Sequence, residues 1–241
     1  MKHARKVALI AGGLRDIGVA AARILAKDGS VVLTCDSEKS TVEAAKETLC
    51  QENIEVQAYA TNMESSRDVA KLISEIVNIN ERIDTLIIIA DKAPQGPLSL
   101  HNEHLLVRGL AQNINAAYFL CEHTAKVMEK NNDGGSIVII CNSLSDADEC
   151  NEERSIIGEM SLGALEHMTK SMACQWGPKK IRVNAICGQL KNPHRRLPPI
   201  PLRRTATAHE VAAVAAFLAG GKASFITGTI IPVDGGLGGI R

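Results

Sequence analysis

Five residues near the amino terminus have the types and spacing to hold an anion. Gly12 and Gly18 bracket Gly13-Leu14-Arg15-Asp16-Ile17, directly after the apolar run Val7-Ala8-Leu9-Ile10-Ala11. Glycines placed after a strand let the backbone turn sharply and approach a pyrophosphate closely, with the amino terminus of the next helix aimed at the charge. Gly12, Arg15, Asp16, Ile17 and Gly18 are therefore candidate binding residues. Asp16 is the discordant member. An Asp at a helix start accepts from the first-turn amides, the same donors that would hold a phosphate, so it is expected to cap the helix and compete with the ligand.

Other chemistry-bearing residues are scattered. His101 and His104 lie in a polar stretch without further ligands at metal spacing, which predicts solvated side chains and no metal site. The seven cysteines form no C-x-x-C pair, which argues for reduced thiols in a cytoplasmic setting, most of them acting as small buried hydrophobes. Glu159 and His167 are read as solvated or structural.

The elements that must position these residues alternate regularly. Apolar runs at 6–11, 30–35, 54–59, 85–90, 136–141, 181–185 and 229–233 read as strands. Amphipathic stretches at 16–28, 38–52, 65–79, 102–130, 156–176 and 208–218 read as helices. Continuous apolar strands joined by crossover helices specify an α/β fold, a doubly wound parallel sheet of seven strands with helices on both faces. The 241 residues suit a single domain spanning 1–241. An apolar fraction of 45% excludes disorder. Balanced charge, 27 basic against 27 acidic residues, leaves no electrostatic footprint for nucleic acid or anionic membrane. No apolar run approaches a membrane span. The irregular stretch 188–204, rich in proline and arginine, reads as a surface lid, and 146–154 as an acidic loop. Both are read as solvated charge runs that could also pair with each other across a cleft.

Several segments together resemble the short-chain dehydrogenase/reductase family. Ala11-Gly12-Gly13-Leu14-Arg15-Asp16-Ile17-Gly18 is similar to its T-G-x-x-x-G-I-G turn. Asn113-Ile114-Asn115-Ala116-Ala117-Tyr118-Phe119-Leu120, Gly135-Ser136-Ile137-Val138 and Ile181-Arg182-Val183-Asn184-Ala185 follow in family order, as does Pro232-Val233-Asp234-Gly235-Gly236. The nearest look is toward 3-oxoacyl-carrier-protein reductases and pteridine reductases. The resemblance implies a Rossmann-like fold, NAD(P), and hydride transfer assisted by a serine, a tyrosine, a lysine four residues later and an asparagine.

Set against that pattern, the site residues depart widely. Asn115 is the one retained relay residue, while Asn142, Gly158 and Leu162 occupy the serine, tyrosine and lysine places. Realignment supplies no substitute, because Tyr59 and Tyr118 are followed four residues on by Met63 and Glu122. Arg15 matches NADP-using members and Asp36 opposes them, with Cys35 standing where NAD-using members are expected to carry their ribose acid. Thr61 takes the place of an adenine-contacting acid. Ile88-Ile89-Ala90-Asp91 replaces Asn-Asn-Ala-Gly, leaving Ala90 a vestigial cofactor contact, and Gly188-Gln189 replaces Pro-Gly. The expectation is a family member without a working cofactor site, with NAD(P) the cofactor if there is one. It would serve as a non-catalytic structural, regulatory or partner subunit, in a homotetramer or with an active paralogue. The alternatives are an NAD(P)-dependent 3-oxoacyl or pterin-like carbonyl reductase with a rewired site, and a small-ligand sensor.

Overall fold

The computed structural model describes residues 5–90, 102–142, 156–188 and 200–240. Strands β1 (Val7–Ala11), β2 (Val31–Asp36), β3 (Val56–Ala60) and β4 (Thr85–Ala90) alternate with helices α1 (Ile17–Lys27), α2 (Lys39–Gln51) and α3 (Ser66–Asn80). After β4 come α4 (Glu103–Leu110), a π-helical turn (Ala111–Asn115) and α5 (Ala116–Met128). The second half is β5 (Gly135–Asn142), α6 (Ile156–Trp176), β6 (Ile181–Gly188), α7 (Ala208–Ala219) and β7 (Ile230–Val233). All pairings are parallel, in the order β3-β2-β1-β4-β5-β6-β7. Strand order therefore reverses between β1 and β4, where ligands of such sheets bind at the carboxyl ends.

The strands are mainly apolar because both faces are covered. Leu9, Leu33, Leu86, Ile137 and Val183 face one core with side chains of α3, α5 and α6. Ile10, Val32, Ile87, Val138 and Ile186 face the other with α1, α2 and α7. This is the expected doubly wound sheet. One expectation needs correction: the single helix over 102–130 is interrupted by the π-turn ending at Asn115. A π-bulge adds one residue to a turn and rotates the side chains beyond it.

Polar side chains lock the strand ends. Asp84, nearly buried, accepts the Val7 amide at 2.9 Å and is clamped by the Arg82 guanidinium. Asn184, wholly buried, donates to the Ile226 carbonyl at 2.9 Å and accepts the Thr229 amide at 3.2 Å, fixing the approach to β7. Helix α7 begins in a reciprocal capping box, in which Thr207 accepts the Glu210 amide and Glu210 accepts the Thr207 amide. Arg204 adds a two-pronged pair to the same carboxylate at 2.7 and 2.8 Å.

These bonds hold the Glu210 carboxyl down to about 2, led by the Arg204 guanidinium and then by the Thr207 amide and hydroxyl. A depressed carboxylate stabilises the fold above its unfolded pKa, and that contribution disappears as pH falls through the folded value. Glu210→Gln should therefore lower the urea midpoint at neutral pH. The two proteins should converge as pH falls from about 4.5 to about 2, a comparison readable by circular dichroism.

Candidate active site

The turn between β1 and α1 lies at the strand-order switch and is built on close backbone approaches. The Gly12 amide donates to the Cys35 carbonyl at 2.9 Å, docking the turn against the end of β2. Gly12 has φ +77°, and a Cβ there would stand 2.7 Å from the Ile89 carbonyl oxygen. At Gly18 a Cβ would meet the Gly13 carbonyl oxygen at 2.8 Å. Both positions therefore require glycine sterically, which is the property a pyrophosphate turn needs.

Asp16 does not cap α1. Its backbone, at φ −126° and ψ −82°, lies outside the extended conformation of ordinary N-caps. The side chain is exposed and makes no hydrogen bond to the first-turn amides. The expected occupation of these donors by Asp16 is thus overturned, and Ile17 and Gly18 open the helix without a carboxylate over them. Arg15 is also exposed and sits 3.8 Å from the Glu38 carboxylate.

The acid at the end of β2 is Asp36, not a residue one place earlier. Cys35 is fully buried among core side chains, and burial, with Asp36 adding to it, pushes its thiol up to about 12. A neutral, enclosed thiol cannot hold a ribose. Asp36 is the last residue of β2, beside the docked turn, and its Oδ1 accepts the amides of Ser37 at 2.7 Å and Glu38 at 3.3 Å. The acid of a dinucleotide site follows the glycine turn by about 20 residues at this strand end. The β1–β2 register pairs Cys35 with Ala11, inside the core.

The isoleucines of β4 are explained by packing. Ile88 joins one core and Ile89 the other. A Cβ at Gly13 would stand 2.7 Å from Ile89 Cγ2, so the β-branched side chain is accommodated by the extra glycine of the turn. The G-G dipeptide followed by an isoleucine in the Asn place was the signal for that pair. Ala90 is half-buried at the end of β4, and Asp91 lies outside the described residues. Thr61 donates its amide to the Asp36 carbonyl at 3.0 Å, which ties the end of β3 to the same corner.

On the catalytic side, Asn115 is exposed at the junction of the π-turn and α5. Asn113, two residues earlier, is buried, and its side-chain oxygen has no partner. Gly158 and Leu162 lie one turn apart on α6, and Leu162 packs on the core. Asn142 ends β5. Neither Gly158 nor Leu162 has a titratable group, as anticipated. His167 and His104 are exposed, and no cluster of metal ligands exists among the described residues. Lid residues 189–199 and the acidic loop 146–154, like Ser143 and Ser145, lie outside the described residues. Among the described residues Arg204 pairs with Glu210.

One cluster escaped the sequence reading. Cys141 and Cys187 are in-register neighbours on β5 and β6, and Cys187 Sγ donates to the Glu166 carboxylate of α6 at 3.4 Å. Burial and the Glu166 carboxylate push the Cys187 thiol up to about 12, and burial likewise raises Cys141. Both stay protonated and serve as packing beneath the site. Cys35 and Cys121 are buried too, whereas Cys50 and Cys174 are exposed, and all six are free thiols.

Comparison with known proteins decides the lineage. The family described as Enoyl-(Acyl carrier protein) reductase matches residues 12–238. This chain is a member of the short-chain dehydrogenase/reductase family. It is 28% identical over 247 residues to a tropinone reductase homolog of Datura stramonium, covering 95% of this chain and 90% of that protein. It is 28% identical over 253 residues to the 3-oxoacyl-[acyl-carrier-protein] reductase of Pseudomonas aeruginosa, covering 96% and 97%. In fold it matches the NAD+-bound xylitol dehydrogenase with a TM-score of 0.83 at 24% identity, covering 98% of this chain and 100% of that one. Levodione reductase matches with a TM-score of 0.86 at 21% identity, with 98% of both chains covered.

These findings overturn the expected non-catalytic subunit. The short-chain dehydrogenase/reductase relatives aligned over nearly the whole chain are named reductases. The expectation of no cofactor loses its main support with Asp16, whose side chain makes no hydrogen bond to the first-turn amides. No helix among the described residues is long and apolar enough to cross a membrane.

The turn gives a direct test. Gly12→Ala should destabilise the protein by about 1–3 kcal/mol in urea unfolding, since it combines a strained φ with a backbone clash. A midpoint equal to that of the unsubstituted protein would show that the close approach to Ile89 does not exist.

Proposed function

We propose that this protein is an NAD-dependent oxidoreductase acting on a carbonyl or its alcohol, of the 3-oxoacyl type borne by its Pseudomonas aeruginosa relative. One observation carries the reading: the Gly12–Cys35 hydrogen bond sets a glycine-only turn beside the terminal carboxylate of β2. Gly12 and Gly18 leave room for a pyrophosphate to approach the amino terminus of α1 at Ile17, and Asp36 offers an acceptor to ribose hydroxyls. The same carboxylate would repel a 2′-phosphate, so the choice is NAD over NADP. Arg15, already facing Glu38, does not offset this. When bound, the nicotinamide supplies or accepts the hydride.

The chain's own contribution to the proton step is unusual. Gly158 and Leu162 can neither hold nor donate a proton, so the about 10²–10⁴-fold from a positioned acid is absent from this helix face. Asn115 remains as an exposed polar group at the start of α5. The reading is therefore a slow reductase, with the glycine turn and Asp36 binding the cofactor and bulk or loop groups completing protonation. Exposed Tyr118 on α5 with Ile156 and Met160 on α6 supports assembly as a homo-oligomer through these helices. The free thiols support a cytoplasmic setting.

Calorimetric titration tests the cofactor assignment. NADH should bind at least about tenfold more tightly than NADPH, a difference of about 1.4 kcal/mol. Asp36→Asn keeps the shape and removes the charge, and should narrow that ratio. NADPH binding as well as NADH, or an unchanged ratio in the variant, would contradict it. A second test addresses the proton step. The combined change Asn142→Ser, Gly158→Tyr and Leu162→Lys should raise kcat for NADH-dependent 3-oxoacyl reduction by about 10²–10⁴-fold. An unchanged kcat would mean that protonation does not limit turnover.

A further inference from the structure

A second cavity, of about 700 Å³, lies at the opposite end of the sheet from the β1–α1 turn. Its walls come from the amino-terminal ends of strands: Lys6 before β1, Gly135 opening β5, and Lys180 and Arg182 at the start of β6. Nothing in the proposed reaction uses it.

Its charges are unevenly matched. Arg182 is half-buried, and its guanidinium donates only to backbone carbonyls, those of Ile226 at 3.3 Å, Gly220 at 3.2 Å and Ala219 at 3.5 Å. Among the described residues those bonds leave Nε–H and one Nη1–H without an acceptor, and no carboxylate pairs with it. Burial accordingly holds the Arg182 pKa below the ordinary arginine value. Lys180 likewise reaches only a carbonyl, that of Asn132 at 3.2 Å. The acids in the wall are drawn elsewhere: Asp84 is clamped by Arg82, and the Asp133 charge also acts on Arg82. A charge taken partly out of water without a counter-ion is costly, and arginine is the side chain best suited to meet a planar or tetrahedral oxyanion.

The shape of the cavity is kept open by small residues. Gly177 and Gly221 line it, and a Cβ added at either would meet nothing within 4 Å. Neither has a positive φ, so these glycines are required by neither conformation nor packing. At the rim stands Phe225, fully exposed to solvent. A volume of several hundred Å³, a few polar groups and an aromatic wall are the ordinary attributes of a small-molecule site.

We propose that this cavity binds a small organic oxyanion with an aromatic or acyl body, its anionic head on Arg182 between Lys6 and Lys180 and its apolar part along Phe225. The site is separate from the cofactor turn, and the proposal stands whether or not NADH binds there.

Phenyl phosphate is the probe, titrated calorimetrically into the full chain at low salt with inorganic phosphate in parallel. Saturable binding of phenyl phosphate in the millimolar range or tighter is expected, with inorganic phosphate at least about tenfold weaker. Gly221→Leu fills the cavity from a position with free space, and should weaken phenyl phosphate at least about tenfold without lowering the melting temperature. Lys180→Asn removes a charge while suiting the left-handed backbone at φ +60°, and should weaken binding and flatten its salt dependence. Absence of saturation below about 10 mM, equal binding of both probes, or full binding by folded Gly221→Leu would each overturn the proposal.

Discussion

The structure depends on how closely one turn approaches two strands. Gly12 can donate to the Cys35 carbonyl only because no Cβ intrudes on the Ile89 carbonyl. That contact sets where α1 begins, and hence where its amino terminus points. It also brings the end of β2, with Asp36, to the same corner, and Thr61 binds the Asp36 carbonyl from β3. Three strands are thereby gathered at the point where sheet order reverses, the place such sheets use for ligands. Ile89 fits this arrangement only because residue 13 is also glycine.

Much of this was legible in the residues themselves. Alternating apolar runs and amphipathic stretches mark all seven strands, because strands covered on both faces are mostly apolar. The π-turn was not legible, since its residues Ala111–Asn115 keep ordinary helical composition. At the site, the loss of side-chain chemistry at Gly158 and Leu162 was evident from residue type. The role of Asp16 was misjudged because capping depends on backbone angles that residue type does not dictate. The burial of Cys35 in the core was not legible from residue type alone.

The molecule combines a cofactor corner in good order with a helix face stripped of proton donors. These two parts lie on different elements, β1–α1–β2 and α6, and side chains of β1, β2 and α6 meet in one shared core. Leu162 joins the core instead of presenting a charge, and Cys141 and Cys187 fill the floor below as neutral thiols, with Glu166 accepting from the latter. A hydride site without its usual acid loses rate, not binding.

The most direct measurement is deuterium transfer. Deuterated NADH, labelled at the transferring carbon of its nicotinamide, would be incubated with this protein and a 3-oxoacyl thioester, and the product read by mass spectrometry. An NAD-dependent reductase with this corner yields 3-hydroxyacyl product one mass unit heavier, accumulating in proportion to protein and lost with Gly12→Ala. Product without deuterium, or no product above a protein-free control, would contradict the account.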